Sequence, residues 1–596
     1  MDTLKNMNFK KLGISSVLLT VISGCQVDAS NTLSVQEDTN KQATTGSFGD
    51  QGDGTYINPI LNADYPDSDI EQVGDSYYMI TSKQHMSPGM PILKSKDMVN
   101  WTNVGHVFES LSWAPEYHWH RMNGYSFGTW AGDLAYHEGT WFCYQIDFKH
   151  GLYVSTAKNI RGPWSTPIKM LEHDLVLDDP GVFWDEETHE AYVIVNSAGK
   201  QKSPENTVPG NENRIYKMSW DGTKILDEGK LVYTGLGSEA AKIYKFDGVW
   251  YIFMAEWFYT DPENAGKIPS PENDRKQVVL RSSESIYGPY EKKVVLERGN
   301  GFDRSCSQGA LMQAPDKSWW YTHQLIQNTA IPFQGRPQCL EPVTWIDGWP
   351  IIGVDVDNDG IGEPVAQYKK PIDGFPVNAP QSDDDFTAEK LGRQWEWNHN
   401  PRTSFWSLTE RPGWLRLKAG IPLSIDSGAG PAINQWTNND GSETDFWRAY
   451  NTLSQRIMGI TTGTAEAKFD ISNMAPGQRA GFVRYGGVYH LLGIAVDEAG
   501  KKKLFFMDNF AKEKPGPEVS GNELFVRTTN TSNQAFYEYS LDGKTYKRFG
   551  PEFTIEFGKW TGDRLGFFCW NEKEEKGFID VDWFTYEYDG PKAAQR

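Results

Sequence analysis

Asp247-Gly248-Val249-Trp250-Tyr251 is a turn followed at once by paired aromatics. Four other stretches repeat it: Gly74-Asp75-Ser76-Tyr77-Tyr78, Glu138-Gly139-Thr140-Trp141-Phe142, His189-Glu190-Ala191-Tyr192 and Asp316-Lys317-Ser318-Trp319-Trp320. Their last aromatics stand at 78, 142, 192, 251 and 320, at spacings of 64, 50, 59 and 69. A second turn word follows each copy. It is clear at Ser95-Lys96-Asp97-Met98-Val99-Asn100-Trp101, Asn159-Ile160-Arg161-Gly162-Pro163-Trp164 and Ser285-Ile286-Tyr287-Gly288-Pro289-Tyr290. The missing copy falls at Ser219-Trp220-Asp221-Gly222-Thr223. Five units of about sixty residues, strand-rich and without helical periodicity, predict an all-β fold: a five-bladed β-propeller around a central channel.

Outward from the repeats the texture changes. Lys370-Pro371, Gly374-Phe375-Pro376 and Ala379-Pro380 read as a connector, followed by Asp383-Asp384-Asp385. Alternating apolar runs come next, among them Trp414-Leu415-Arg416-Leu417, Leu524-Phe525-Val526 and the stretch 578–586. About 200 residues of that kind, broken by Asp-Gly and Pro-Gly turns, predict a β-sandwich. The expected division is a propeller at 53–375, a linker at 376–384 and a sandwich at 385–590.

At the other end, Lys5, Lys10 and Lys11 precede a short apolar run, 14–22, which ends in Ser23-Gly24-Cys25. That run is too short to span a bilayer and reads as the core of a signal peptide, residues 1–24. Val21-Ile22-Ser23-Gly24-Cys25 resembles a bacterial lipoprotein box, which implies lipidation of Cys25 and an exported, envelope-anchored protein. Residues 25–52, rich in Ser, Thr, Gln and Asn, read as a flexible tether. Cys143, Cys306, Cys339 and Cys569 lack CxxC spacing, so a zinc site is not expected; they read as buried thiols, with a Cys306–Cys339 disulfide as the alternative.

The composition narrows the partners. The 596 residues include 58 Lys plus Arg and 79 Asp plus Glu, a formal net charge of −21. Such a surface repels nucleic acid and anionic membrane, and it suits a neutral ligand. With 38% hydrophobic and 13% aromatic residues the chain can bury large cores, and its aromatics can pack sheets or stack on sugar faces.

In a propeller the innermost strand of each sheet begins at the channel mouth, so residues at one register converge there. Counting back from the aromatic markers, Asp67 lies 11 before Tyr78, Asp133 lies 9 before Phe142 and Asp179 lies 13 before Tyr192. Glu239 lies 12 before Tyr251, and Gln308 lies 12 before Trp320. Carboxylates gathered in a partly desolvated channel raise one another's pKa values, so a protonated acid can stand beside an ionised one. Acetal cleavage needs that pair: one group protonates the leaving oxygen and the other activates water.

At these residues the chain resembles glycoside hydrolase family 43, five-bladed enzymes acting on xylan, arabinoxylan and arabinan. The matching stretches are Asn58-Pro59-Ile60-Leu61, Tyr65-Pro66-Asp67-Ser68-Asp69-Ile70, Gly128-Thr129-Trp130-Ala131-Gly132-Asp133, Asp178-Asp179-Pro180-Gly181 and Ser238-Glu239-Ala240-Ala241-Lys242. Ser307-Gln308-Gly309 and Gly335-Arg336 also fit. The region 385–590 resembles the concanavalin-A-like, jelly-roll sandwich of family β-xylosidases, through Trp395-Glu396-Trp397-Asn398-His399-Asn400-Pro401 and Asn451-Thr452-Leu453-Ser454-Gln455-Arg456.

The resemblance implies Asp67 as the general base, Glu239 as the general acid, and Asp179 as the group that orients Glu239 and raises its pKa. It implies inversion at the anomeric carbon. Arg336 would bind sugar hydroxyls, with a buried ion pair as the other reading; Trp130 would lie against a sugar ring, or else fill a blade core. Asp133 and Gln308 join them as substrate-binding candidates through the shared register. A family histidine associated with a central cation is Ser307 here, which puts a structural calcium in doubt. Asp355, Asp357, Asp359 and Gly360 mimic the start of a calcium loop, but its twelfth position is Ala366, so the stretch reads as an acidic connector. No metal and no required cofactor are expected. The implied function is an exo-acting β-1,4-xylosidase of plant hemicellulose; the alternatives are an α-L-arabinofuranosidase on arabinoxylan or arabinan, and a carbohydrate-binding propeller without chemistry. The sandwich would either bind glycan or close one side of the pocket.

Overall fold

The computed structural model describes residues 43–44, 49–172, 176–198, 210–259, 273–299, 305–326, 334–378, 380–431, 445–459, 462–509, 513–558, 560–590 and 592–593. The expected signal segment and Cys25 lie outside the described residues. Among the described residues no helix is long and apolar enough to cross a membrane.

Six sheets make up the amino-terminal half, against five expected. Five are antiparallel blades arranged as a ring. The first holds Asp69–Val73, Ser76–Ile80, Gly89–Ser95 and Thr102–Phe108. The second runs from Gly132–His137 to Ile168–Leu171, the third from Val176–Asp185 to Lys230–Leu236, and the fourth from Glu239–Phe246 to Glu291–Leu296. The fifth opens with Ser305–Ser307 and Leu311–Gln313 and continues through Trp319–Ile326, Gln338–Ile346 and Trp349–Ile352. The sixth sheet is a small clasp of Gly49–Asp50, Thr55–Ile57 and Gln367–Lys369, which joins the segment before the first blade to the segment after the last. Its strands of two and three residues carry none of the repeat's turn-and-aromatic pairing, so the repeat could not register it.

The paired aromatics have a packing reason. Neighbouring residues of a strand point to opposite faces of its sheet. Every blade is covered on both faces by other blades, so both faces need a large apolar group. Trp141 packs with Ile80, Met90 and Ile92 of the first blade, whereas Phe142 packs with Val182, Trp184 and Val193 of the third. Trp250 and Tyr251 divide in the same way between the third and fifth blades, and Trp319 and Trp320 between the fourth and first. The ring closes where Met312, Trp320 and Leu340 meet Tyr77, Met79 and Leu93. Asn58 ties that seam by donating to the carbonyls of Leu340 and Val365, both at 2.9 Å.

The carboxy-terminal half is a two-sheet sandwich. In one sheet Thr462–Asp470 and Glu523–Thr531 alternate buried residues with half-buried or exposed ones over their whole length, as a sheet with one wet face must. Phe469, Phe482, Phe567 and Phe584 fill the space between the sheets. The other sheet has eight strands, and its edge strand is Met86–Ser87 from a loop of the first blade. There Ser87 pairs with Trp397 and Met86 with Asn398. The sandwich core is also continuous with the seam of the propeller through Tyr65, Trp101 and Met458. Cys143, Cys306, Cys339 and Cys569 are all buried free thiols, so the alternative of a Cys306–Cys339 disulfide is not realised.

Candidate active site

The inner strands break their regular pairing where the acids stand. The third blade's first strand shifts register between Asp178 and Gly181, and the fourth's between Glu239 and Lys242. Such bulges re-aim side chains near sites. Asp67, Asp179, Ala240 and Gln308 all have left-handed backbone, with φ of 55°, 42°, 63° and 53°. A left-handed non-glycine residue is costly in isolation and persists only where its surroundings enforce it. Four of the five blades carry this device at the register predicted from the repeat.

Asp67 is buried and held on three sides. Its Oδ1 accepts from Arg336 Nη1 at 2.7 Å and from Gln324 Nε2 at 2.9 Å; its Oδ2 accepts from Ser82 Oγ at 2.5 Å. Its own N–H donates to Gln324 Oε1 at 2.7 Å, so Gln324 clamps both backbone and carboxylate. A carboxylate offers about four lone-pair positions, and these donors leave one on Oδ2.

Asp179 Oδ2 accepts from the Ala240 N–H at 2.8 Å and from Gln308 Nε2 at 2.9 Å, which fixes it against the strand that carries Glu239. Carboxylate oxygens of Asp178, Asp179 and Glu239 lie within 4.8 Å of one another. Burial, and after it the charges of Glu239 and Asp67, push Asp179 up to about 7. Burial and the neighbouring Asp179 raise Asp178 well above the usual carboxylate range. A proton is therefore retained on this pair near neutral pH. Asp179 thus feels the charges of both Glu239 and Asp67. Glu239 is 21% exposed, and Arg275 Nη2 meets its Oε1 at 2.7 Å.

Arg336, 4% exposed, makes an ion pair with Asp67 and also donates to the Trp560 carbonyl at 3.3 Å. Trp130 is 6% exposed, stacks on Phe148 at 4.5 Å, and meets Trp560 edge-on at 6.1 Å. One of its faces is thus spent on protein. Gln308 bonds Asp179 rather than facing open space.

Asp133 departs from the expectation. Its carboxylate accepts from Lys242 Nζ at 3.2 Å and from the Val182 N–H at 3.2 Å, deep on the propeller axis. Lys242 also contacts Asp69 Oδ1 at 3.2 Å and the carbonyls of Gly132 at 3.0 Å and Pro180 at 3.2 Å. The offset from the aromatic marker explains the difference. Asp133 lies 9 residues before Phe142, as Asp69 lies 9 before Tyr78. Two residues further along a strand amount to ~6.6 Å.

Several residues of the site carried no readable signal. Gln324 lies on the second strand of its blade and Arg275 on the third, where no register argument reached. Asp178 was visible only as the neighbour of Asp179. Trp560 comes from the sandwich, far along the chain. Ser307 is buried and offers one hydroxyl where the resemblance placed an imidazole, and Gln308 beside it is committed to Asp179; these residues do not compose a calcium ligand set. Oxygens of Asp355, Asp357 and Asp359 approach within 4.8 Å on the surface, and His323 Nε2 sits 3.0 Å from Glu341 Oε1 in the core beside Cys339. Glu341 is already filled by His323, Asn58 and the Val365 N–H.

Carboxylates gathered where the inner strands of a bladed ring begin, with a sandwich segment packed beside them, are the groups that cleavage of a sugar acetal requires. The profile of glycosyl hydrolases family 43 matches residues 56–350, and that of the β-xylosidase C-terminal concanavalin A-like domain matches 383–587. A β-xylosidase of Formosa agariphila is 75% identical over 93% of this chain and 94% of its own length. A non-reducing end α-L-arabinofuranosidase of Bacteroides ovatus is 31% identical over 89% of this chain and 94% of its own. In fold, a xylan β-1,4-xylosidase from Bacillus halodurans superposes with a TM-score of 0.73 at 23% identity, covering 89% of this chain and 99% of that one. The chain belongs to glycoside hydrolase family 43 and is a glycosidase with a carboxy-terminal sandwich domain.

Proposed function

We propose that the protein is an exo-acting, inverting β-1,4-xylosidase that removes xylose from the ends of xylo-oligosaccharides. The observation that carries the reading is the cluster of Asp179 and Glu239, whose carboxylate oxygens lie within 4.8 Å of one another, with Asp67 near enough for its charge to act on Asp179. Asp67 acts as general base: its unoccupied Oδ2 position takes a proton from water as the water oxygen attacks the anomeric carbon. Glu239 acts as general acid and delivers its proton to the glycosidic oxygen as the bond to the leaving sugar breaks. The water enters opposite the leaving sugar, so the anomer inverts. Asp179 fixes the acid's strand through Ala240, and its negative charge favours a protonated neighbour.

Exo action is supported by the Trp560 segment of the sandwich, which packs against Trp130 and Arg336 beside Asp67. The high identity to a β-xylosidase favours xylose. A second reading, an α-L-arabinofuranosidase, is favoured by the relative from Bacteroides ovatus, since both activities use the same acids. No cofactor is required by this chemistry. The segment ending in Cys25 supports export and a lipid anchor on the cell envelope, with a neutral polysaccharide as the partner.

Turnover of xylobiose and of arabino-oligosaccharides by wild type and Glu239→Ala, with the first product's anomer read by NMR, tests the reading. Wild type should release α-xylose from xylobiose, and the variant should lose at least 100-fold, within the range for losing a general acid. Retention of the β anomer, or wild-type turnover by the variant, overturns it. Preferential release of arabinose selects the second reading.

A further inference from the structure

We propose that Arg275 is a positioning residue that fixes the carboxyl of Glu239 and sets the upper pH limit of its proton donation. The inference rests on Glu239 being the proton donor.

Arg275 lies on Asn273–Ser282, the third strand of the fourth blade, opposite Trp257. Its side chain is 6% exposed. One nitrogen, Nη2, reaches both Glu239 Oε1 at 2.7 Å and the Gly237 carbonyl at 2.9 Å. The guanidinium carbon lies 5.2 Å from the Trp257 ring centre. Arg275 therefore holds the acid's side chain and the backbone two residues before it at the same time. With Oε1 taken, Oε2 is the oxygen left to carry the proton.

The surrounding charges oppose one another. Asp178 and Asp179 crowd Glu239 from the third blade, and Asp67, paired with Arg336, acts by its charge on Asp179. Several other charges on the fourth blade are engaged elsewhere: Lys242 with Asp69 and Asp133, Lys245 with Asp185, Arg281 with Glu291, Asp274 with Arg298 at 3.9 Å, Lys276 with Glu297, and Glu256 with Lys292. Among the described residues Arg275 is the one cation on the Glu239 carboxylate. The aspartates repel the negative charge that proton donation would leave on this strand, and the arginine, always charged, stabilises it. A general acid needs both influences: a proton to give, and stabilisation of the carboxylate it leaves behind. A strong acid matters most where the leaving group is a sugar rather than an activated phenol.

The test is the pH profile of kcat/KM on xylobiose and on 4-nitrophenyl β-xyloside for wild type, Arg275→Met, Arg275→Gln and Arg275→Lys. Removing the charge in Met or Gln should carry the alkaline limb upward by about 1–2 pH units, the size expected for an adjacent unit charge. On the acidic plateau the loss should be about 10–100-fold on xylobiose and clearly smaller on the aryl substrate. Lysine should restore the wild-type limb. Arg275→Gln keeps a hydrogen-bond donor, so it reads the charge even where the methionine variant fails to fold. A folded, charge-free variant with an unmoved alkaline limb overturns the proposal, as does an equal loss on both substrates. Glu239→Gln is measured alongside. If it turns over xylobiose like wild type, the donor assignment and the Arg275 proposal both fall; if it is inactive while the Arg275→Gln limb stays put, the Arg275 proposal alone falls.

Discussion

Replacing Asp179 by asparagine should make the protein more stable at alkaline pH while removing most of its activity. Asp179 is lifted from 3.8 to about 7, first by burial and then by Glu239 and Asp67. For an acid raised in the folded state, the ionised form is the one that folding disfavours. The cost is absent below about pH 4, grows between pH 4 and 7, and is complete above 7. Each unit is worth 1.36 kcal/mol, so the full cost is about 4 kcal/mol. Asp178 shares the strain and relaxes when its neighbour loses charge, so a gain of about 1–4 kcal/mol is expected at pH 8. Asparagine is isosteric: its oxygen can accept from Ala240 N–H and Gln308, and its amide can donate toward the remaining acids. Denaturant midpoints of the two proteins at pH 4.5, 6 and 8 read the difference directly. The gap should open as pH rises, and xylobiose turnover should fall at least 100-fold. A variant less stable by the same amount at every pH would refute the reasoning, because it would show the carboxylate to be held by favourable contacts rather than strained by its neighbours.

Three further outcomes are expected. Gln324→Leu removes the clamp on Asp67 and leaves its N–H without a partner; kcat on xylobiose should drop about 10–100-fold with KM little changed, checked by initial rates. Glu396→Gln leaves Lys83, Arg456 and Arg564 facing a neutral group in a buried cluster, which should cost about 3–5 kcal/mol in urea unfolding and act on both halves together. Gly181→Ala would set a methyl 2.1 Å from the Ala241 carbonyl, next to the Glu239 bulge, so lowered stability of about 1–3 kcal/mol and reduced kcat should appear together.

The ring was legible because its packing demand is written twice in every blade. Two adjacent aromatics, one for each flanking blade, survive as a word that spacing alone can find. Asp67, Asp179, Glu239 and Gln308 were legible because they sit in or beside the inner strands, 11 to 13 residues before the last aromatic of that word. Asp133 shared the rule but stood two residues deeper, where it meets Lys242 instead of the pocket. Gln324 and Arg275 reach the site from second and third strands, and their contacts depend on how sheets twist past one another, which no linear count contains. The sixth sheet and the Met86–Ser87 pairing join residues hundreds of positions apart through strands of two or three residues, too short to leave a pattern.

The Met86–Ser87 strand carries a consequence for biogenesis. It is translated with the first blade, yet its partner, Glu396–Asn398, is built into a sheet that also needs Arg564–Asn571. A nascent chain thus carries an unsatisfied strand edge, four residues beyond the Ser82 that bonds Asp67, until nearly the whole polypeptide has emerged. Assembly of the pocket is for that reason a late and global event, and truncated products would lack a competent centre rather than possess a slow one.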